Sequence, residues 1–290
     1  MADPQLYATV LGIMQDAGLP HIGCRCARCR AAFADPGRQQ WTASLAVVNG
    51  WQQPPAVWLI DATPDLPRQL SLLANVLGPH SQRPERLRQP SGVFLTHAHM
   101  GHTLGLAYLG PEGMGVRGLP VLAPVPLLAV LRRTLLWQPT VRSFDLRPLP
   151  LDQPLQLAPE LTITPLPVPH RDELNSGTVA YLLQGPQSSL LYLPDIDAWE
   201  QWPAGKQIFP AVDVALVDAT FWSVDELVGR PPVAHPLVPE TLRLWAGVPG
   251  RLVLTHLNHT NPLLDENGPE RAQVLAAGAE VAYTGQRFPL

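Results

Sequence analysis

The sequence predicts one α/β domain, residues 1–290, built from two packed β-sheets that are flanked by helices. Strand-like apolar runs recur in both halves of the chain, and stretches with helical periodicity lie between some of them. No low-complexity linker or short-period repeat divides the chain. With 46% hydrophobic residues, 290 residues can bury a large core.

Short apolar runs bounded by glycine, proline or aspartate predict the strands. In chain order these runs cover 6–13, 44–50, 56–62, 92–98, 119–124, 161–170, 178–185, 189–196, 213–220, 251–257 and 279–285. Apolar residues at helical spacing predict helices over 64–78, 126–137, 238–248 and 268–278. This order of strands and helices indicates that helices cover the outer faces of the sheets.

The charge balance argues against a nucleic-acid partner, because only 15% of residues are charged and the net charge is -4. A small anionic substrate in a locally positive site remains compatible with it. The N-terminus lacks a basic segment followed by an apolar one, and no apolar run reaches the ~18 residues of a membrane span. We therefore expect a cytoplasmic protein without a membrane partner; the sequence leaves its assembly open, a homodimer included.

Ionisable side chains end four of the predicted strands, at Asp61, His97, Asp195 and His256. Strands that end in this way place polar groups along one edge of a sheet, where distant segments can build a shared site. A single strand that ends in a polar turn is ordinary. Four such ends, together with a cluster of histidines, predict a functional site.

The segment LTHAHMGHTLG, residues 95–105, contains His97, His99 and His102. The first two histidines can converge from a loop that follows a strand, whereas His102 lies where a helix can begin. Imidazole is a good ligand for Zn, Fe and Mn, and a carboxylate oxygen can bridge two ions. The segment therefore predicts a metal site.

A second cluster contains the three cysteines of the chain, Cys24, Cys26 and Cys29, in GCRCARC. An odd number of cysteines at this spacing is a poor disulfide framework, and in a reducing compartment it indicates a zinc knuckle over 21–29. Three thiolates need a fourth ligand to complete a tetrahedral site. His21 is the nearest candidate along the chain.

THAHMGHTLGL resembles the signature loop of the metallo-β-lactamase fold superfamily, His-x-His-x-Asp-His. Other motifs follow in the order of that family, and the resemblance covers nearly the whole chain. They are the early aspartate (Asp61 in LIDAT), the third-motif histidine (His170 in PLPVPH), the bridging aspartate (Asp195 in YLPD) and the final histidine (His256 in LTHLNH). The resemblance implies an αββα sandwich of two mixed sheets flanked by helices.

Within this superfamily, GLPHIGCRCARC resembles the N-terminal segment of the PhnP phosphodiesterases and of the pyrroloquinoline quinone (PQQ) biosynthesis protein PqqB. VDATFWSVDEL and HLNHTNPLLDENGPERA are closer to PqqB, a family that lacks most histidines of the signature loop. The chain is thus similar to PqqB but keeps a metal loop closer to that of PhnP. The PhnP-like pattern implies that His259, rather than His21, completes a structural zinc site with Cys24, Cys26 and Cys29.

The resemblance also implies two catalytic metal positions that share Asp195. The first would use His97, His99 and His170, and the second His102 and His256. Gly101 stands where the family has an aspartate of the second position. The sequence therefore leaves open whether one or two catalytic ions (Zn, Mn or Fe) bind. Asp197 is a weak candidate to replace the carboxylate that is missing at Gly101.

A metal-dependent hydrolase, acting as a phosphodiesterase on a small phosphate ester, is the leading functional interpretation. One alternative is a PqqB-like protein of PQQ biosynthesis, an iron-dependent oxygenase included; another is a binding protein with a degenerate site. Asp195 and His235 are the predicted catalytic residues. His235 would donate a proton or bind a substrate oxygen, although a helix-capping or loop histidine explains it equally well, and Asp218 and Thr220 would support the site.

Overall fold

Sixteen strands and ten α-helices form within residues 5–229 and 234–290, the part of the chain that this computed structural model describes. The strands are β1 (Leu6–Gly12), β2 (Ser44–Asn49), β3 (Ala56–Ile60), β4 (Pro79–His80), β5 (Arg83–Leu87), β6 (Gly92–Phe94), β7 (Leu119–Ala123), β8 (Phe144–Pro148), β9 (Leu155–Ala158), β10 (Leu161–Pro167), β11 (Val179–Gln184), β12 (Ser189–Leu193), β13 (Val214–Asp218), β14 (Arg251–Thr255), β15 (Glu280–Val281) and β16 (Arg287–Pro289). The helices are α1 (Ala27–Ala34), α2 (Leu66–Leu72), α3 (Ala74–Leu77), α4 (Met100–Thr103), α5 (Leu106–Leu109), α6 (Val125–Arg133), α7 (Gln138–Val141), α8 (Gly205–Ile208), α9 (Val238–Trp245) and α10 (Pro269–Ala276). Among the described residues, no helix combines the length and the apolar character needed to cross a bilayer.

Two seven-stranded sheets form the centre of the fold, in the orders β16-β1-β2-β3-β6-β7-β8 and β15-β14-β13-β12-β11-β10-β9. In the first sheet, pairing is antiparallel from β16 to β3 and parallel from β3 to β8. In the second, it is antiparallel from β9 to β12 and parallel from β12 to β15. Strands β4 and β5 form a separate hairpin. Both large sheets are mixed, which confirms the predicted sandwich.

Strand β2 shows why the strands are continuous apolar runs. Leu45 and Val47 belong to the core between the two sheets, whereas Ala46 and Val48 belong to a second core that includes Leu127 of α6. Successive side chains of a strand point to opposite faces, so a sheet covered on both faces needs apolar residues at every position.

The carboxyl ends of the parallel strands lie on the edge that carries the site. Asp61 follows β3, Thr96 and His97 follow β6, and Asp195 follows β12, while Asp218 ends β13 and His256 follows β14. Asp61 and His256 have positive φ angles of 70° and 60°. Side chains with a Cβ rarely adopt this conformation, which turns the chain sharply as it leaves the strand.

Sequence periodicity missed the strands β4, β5, β8, β9 and β16 and the helices α1, α5, α7 and α8, and it merged α2 and α3 into one helix over 64–78. Strands β8 and β9 lie at the outer edges of the two sheets and are partly exposed, so they lack a continuous apolar run. Helix α1 has little amphipathic character and begins at Cys26, whose sulfur caps the helix by accepting a hydrogen bond from Cys29 N. These elements depend on tertiary contacts more than on local pattern.

Replacing Tyr181 by Phe should lower the free energy of unfolding by about 1–3 kcal/mol, because it removes a buried hydrogen bond between the sheets. The Tyr181 hydroxyl donates to Leu95 O at 2.6 Å, immediately before the histidine loop. Urea denaturation of the two proteins measures the difference. Tyr283→Phe is the control, since Tyr283 is 61% exposed. Equal losses in the two variants would contradict the assignment.

Candidate metal centre

A buried carboxylate, a hydroxyl and two imidazoles form the first network of the site. Asp61 accepts hydrogen bonds from Thr96 N at 2.8 Å, from Thr96 Oγ1 at 2.9 Å and from His102 Nδ1 at 2.7 Å. The Thr96 hydroxyl in turn accepts from His97 Nδ1 at 2.9 Å. With both Nδ1 atoms engaged, the Nε2 atoms of His97 and His102 are left to face the centre of the site.

The second sheet repeats this arrangement at its own strand ends. Asp218 accepts from Thr220 Oγ1 at 2.7 Å and from His235 Nδ1 at 2.7 Å. The Thr220 hydroxyl accepts from His256 Nδ1 at 3.0 Å. Four histidines are therefore held in one orientation each by two buried Asp–Thr pairs, one from each sheet.

Asp195 lies where the two networks meet. Its Oδ2 atom is 3.2 Å from His102 Nε2, 3.2 Å from His256 Nε2 and 3.9 Å from His97 Nε2, while its Oδ1 atom is 3.7 Å from His170 Nε2. Asp195 is 3% exposed. It is thus a carboxylate that can touch ions on both of its sides.

A third group of donors lies on the first side of Asp195. His99 Nδ1 is 2.9 Å from His97 Nε2 and 3.3 Å from His170 Nε2, so three nitrogens converge. On the far side of these rings, His170 Nδ1 lies 2.9 Å from Asp197 Oδ1, and His99 Nε2 lies 3.2 Å from Glu173 Oε2. Asp197 therefore lies beside His170 on the side away from the converging nitrogens, and it does not take the place of the carboxylate that Gly101 lacks.

Several of the converging atoms are buried and have no hydrogen-bond partner in the part of the chain that the structure describes. These are His102 Nε2, His256 Nε2 and Asp195 Oδ2. A buried polar atom without a partner costs about 1–3 kcal/mol. Imidazole nitrogens and a carboxylate oxygen in this arrangement fit divalent metal ions, which would satisfy all three atoms at once.

Burial and neighbouring ionisable groups shift the pKa values of the site residues. Burial lowers the pKa of His97 well below its usual range, and the neighbouring His102 lowers it further. Burial would raise the pKa of Asp195, but the surrounding histidines, first His256, hold it well below its ordinary value. For His235, burial is outweighed by the Asp218 carboxylate, which raises the pKa of the ring. Burial would lower the pKa of His102, but the carboxylates of Asp61 and Asp195 outweigh it and raise that pKa well above its usual range. A cation that binds beside the negative Asp195 would therefore displace a proton from His102.

The structure brings the predicted site residues together in three overlapping groups. One group holds the three histidines of the first predicted metal position, whereas His102 and His256 of the second position lie in different groups that share Asp195. The groups are His97, His99 and His170; His97, His102 and Asp195; and Asp195, Asp218, His235 and His256. His235 is 7% exposed, and its Nε2 atom lies 3.4 Å from Arg171 Nη1. Sequence analysis missed Thr96, Arg171 and Glu173. The sequence did contain a signal for Thr96. It is a threonine directly before His97 at the end of a predicted strand, much as Thr220 follows shortly after Asp218.

The cysteine segment forms a second cluster of possible metal ligands. It includes His259, three residues after His256. The ligand atoms of Cys24, Cys26, Cys29 and His259 all lie within 4.8 Å of one another. His259 Nδ1 contacts Asn258 Oδ1 at 3.0 Å. His21 lies outside the group: its Nδ1 contacts Ile22 O at 3.0 Å, and its ring packs 4.4 Å from that of His259.

Loss of His259 should remove the ion of the cysteine site, whereas loss of the adjacent His21 should not, because only His259 groups with the three sulfurs. We expect His259→Ala and Cys26→Ser each to contain one zinc ion fewer per chain than His21→Ala. Elemental analysis of the purified proteins measures this. Full zinc content in Cys26→Ser would overturn the assignment. If only His21→Ala lost zinc, His21 rather than His259 would be the fourth ligand.

Replacing Asp61 by Asn should weaken metal binding by about 10–100-fold, since the carboxylate fixes His102 directly and His97 through Thr96. Competition with a chromophoric chelator measures the affinity. Asp145→Asn is the control, because Asp145 is half exposed and pairs with Arg147 on the surface. An unchanged affinity in Asp61→Asn would show that the network does not position the ligands.

Comparison with known proteins agrees with this geometry. A family model described as "Beta-lactamase superfamily domain" matches residues 58–257. Coenzyme PQQ synthesis protein B of Azoarcus sp. is 30% identical, over 97% of this chain and 99% of that protein. The protein of the same name from Pseudomonas fluorescens is 28% identical, over 98% and 100% of the two chains.

Solved structures share the same fold. Zn²⁺-bound PqqB from Methylobacterium extorquens has a TM-score of 0.83 and 24% identity, covering 98% of this chain and 100% of that one. A diphosphatase from the PhnP family has a TM-score of 0.72 and 22% identity, covering 98% of each chain. The chain therefore belongs to the beta-lactamase superfamily, and within it to the proteins related to coenzyme PQQ synthesis protein B.

Proposed function

We propose that the protein is a metal-dependent hydrolase that cleaves a phosphate ester or phosphodiester bond in a small anionic molecule. The observation that carries this proposal is the position of Asp195 between two sets of histidines, with orphaned Nε2 and Oδ2 atoms directed at one another. A carboxylate shared by two donor sets is the arrangement of two-metal hydrolytic sites. The PhnP-family diphosphatase with the same fold agrees with a phosphate substrate.

In this proposal the histidines and Asp195 are the metal ligands. His97, His99 and His170 hold the first divalent ion, His102 and His256 hold the second, and Asp195 lies between them. Bound divalent ions polarise a phosphoryl oxygen and lower the pKa of water towards neutrality. Asp61 accepts a hydrogen bond from His102 Nδ1, and Asp218 acts on His256 Nδ1 through the Thr220 hydroxyl, so that the Nε2 atoms of both histidines point inwards.

His235 and Arg171 extend the site beyond the ligands. Asp218 holds His235 Nδ1 at 2.7 Å, so the ring presents Nε2 beside the guanidinium of Arg171. Arg171 is a cation beside His235 and suits a phosphate oxygen. Asp218 raises the pKa of His235 and so favours a ring that is protonated on both nitrogens. This imidazolium can pass its Nε2 proton to the leaving oxygen of the ester and become neutral.

A part in PQQ biosynthesis is the second candidate. The 30% identity to a PQQ synthesis protein B over nearly the full length of both chains favours it. An iron-dependent oxygenation is the reaction of this alternative, because iron also accepts histidine and carboxylate ligands and needs open positions for substrate and oxygen. Restoration of PQQ production in a bacterium that lacks its own protein B would support this candidate. An absence of neighbouring genes for a precursor peptide and its radical enzyme would count against it.

The hydrolase proposal predicts that His235→Ala lowers kcat by about 10²–10⁴-fold with little change in metal content, because a general acid contributes about that much. The assay uses Zn- or Mn-loaded protein with bis(4-nitrophenyl) phosphate, cyclic nucleotides and carboxylic esters, with His80→Ala in the surface hairpin as control. An occupied site that cleaves none of these bonds would exclude a hydrolase of this class. An unchanged kcat in His235→Ala would remove His235 from the mechanism.

A further inference from the structure

The loop after β1 approaches the histidine loop at Gly101. A Cβ atom placed on Gly101 would lie 2.6 Å from the Cα atom and 2.7 Å from the Oδ1 atom of Asp16. Both distances are well inside van der Waals contact, so Asp16 occupies the space into which a side chain at 101 would extend. The carboxylate of Asp16 therefore lies where an aspartate at position 101 would begin.

Backbone hydrogen bonds fix Asp16 beside the final histidine loop. Gln15 N donates to Leu257 O at 2.9 Å, and Leu257 N donates to Ile13 O at 2.7 Å, so the segment before Asp16 pairs with the residue that follows His256. Asp16 itself has a φ of 28°, in the region that favours glycine. A non-glycine residue held there is strained, and such strain concentrates at functional sites.

Within the described parts of the chain, the Asp16 carboxylate has no structural partner that would account for its position. Among the residues described by the structure, none donates a hydrogen bond to it, and its backbone oxygen alone accepts one, from Thr42 Oγ1 at 3.4 Å. Asp16 is partly buried and lies against Gly101, the residue that precedes His102.

We propose that Asp16 supplies the carboxylate that the histidine loop lacks and ligates the second divalent ion together with His102, Asp195 and His256. This inference rests on the proposed metal-dependent function. Gly101 then has a definite role, because only a residue without a side chain leaves room for the Asp16 backbone. In this chain the aspartate of the second position would come from the loop after β1 instead of the histidine loop.

The test is the metal content of the full-length protein, reconstituted with Zn²⁺ or Co²⁺ and then dialysed. Wild type should hold about three ions per chain, one at the cysteines and two at the histidines, and Asp16→Asn about two. In a Co²⁺ titration followed by absorbance, the affinity of the last ion should fall at least about tenfold. Asp152→Asn is the matched control, since Asp152 is an exposed aspartate that also has a positive φ, 57°.

Asp16→Gly provides a second variant that relieves the backbone strain, and it should lose the same ion without a loss of thermal stability. Gly101→Ala should also lose that ion, because the added Cβ must displace the Asp16 backbone. Wild-type metal content and Co²⁺ affinity in both Asp16 variants would overturn the proposal. So would a wild-type protein that holds a single ion at the histidines.

The same measurements separate this inference from the proposed function. A protein that loses one ion in Asp16→Asn but cleaves no phosphate ester as wild type keeps the Asp16 assignment and loses the hydrolase. A wild type that cleaves phosphodiesters with a single ion at the histidines keeps a mononuclear hydrolase and loses the Asp16 assignment.

Discussion

The site depends on two buried carboxylates, Asp61 and Asp218, that are each shared between a threonine hydroxyl and an imidazole. Neither carboxylate is exposed, so each must find donors within the protein, and the threonine beside it supplies one. Because each hydroxyl donates to the carboxylate, it can only accept from the next histidine. The tautomers of four histidines follow from this single constraint.

The fold makes this arrangement possible by ending two sets of parallel strands at one edge. The Asp61 network comes from the first sheet and the Asp218 network from the second, and Asp195 joins them. Tyr181 of the second sheet binds the backbone just before the histidine loop, which holds the two halves in register. A packed core between rigid sheets keeps ligands in place more precisely than a loop could.

The cysteine site has a role in the same architecture. Cys24 follows shortly after Asp16, and His259 follows shortly after His256, so an ion at the cysteines would tie the loop after β1 to the final histidine loop. These are the two segments that flank the proposed second metal position. A structural ion at the cysteines would therefore support the proposed ligand Asp16 from outside the histidine cluster.

The sequence by itself determined the fold and most of the donor set, because the strand ends Asp61, His97, Asp195 and His256 carry ionisable groups after apolar runs. It also indicated which residue types would bind the proposed ions, and the resemblance assigned them to two proposed metal positions. Only the tertiary structure showed which residues that are distant along the chain lie together. His259 rather than His21 groups with the cysteines, Asp197 lies beside His170, and Asp16 lies against Gly101. Spacing along the chain cannot show which loops meet across a sheet edge, since that depends on how the two sheets pack. Gly101 was visible as a missing side chain, but only the packed structure shows what fills its place.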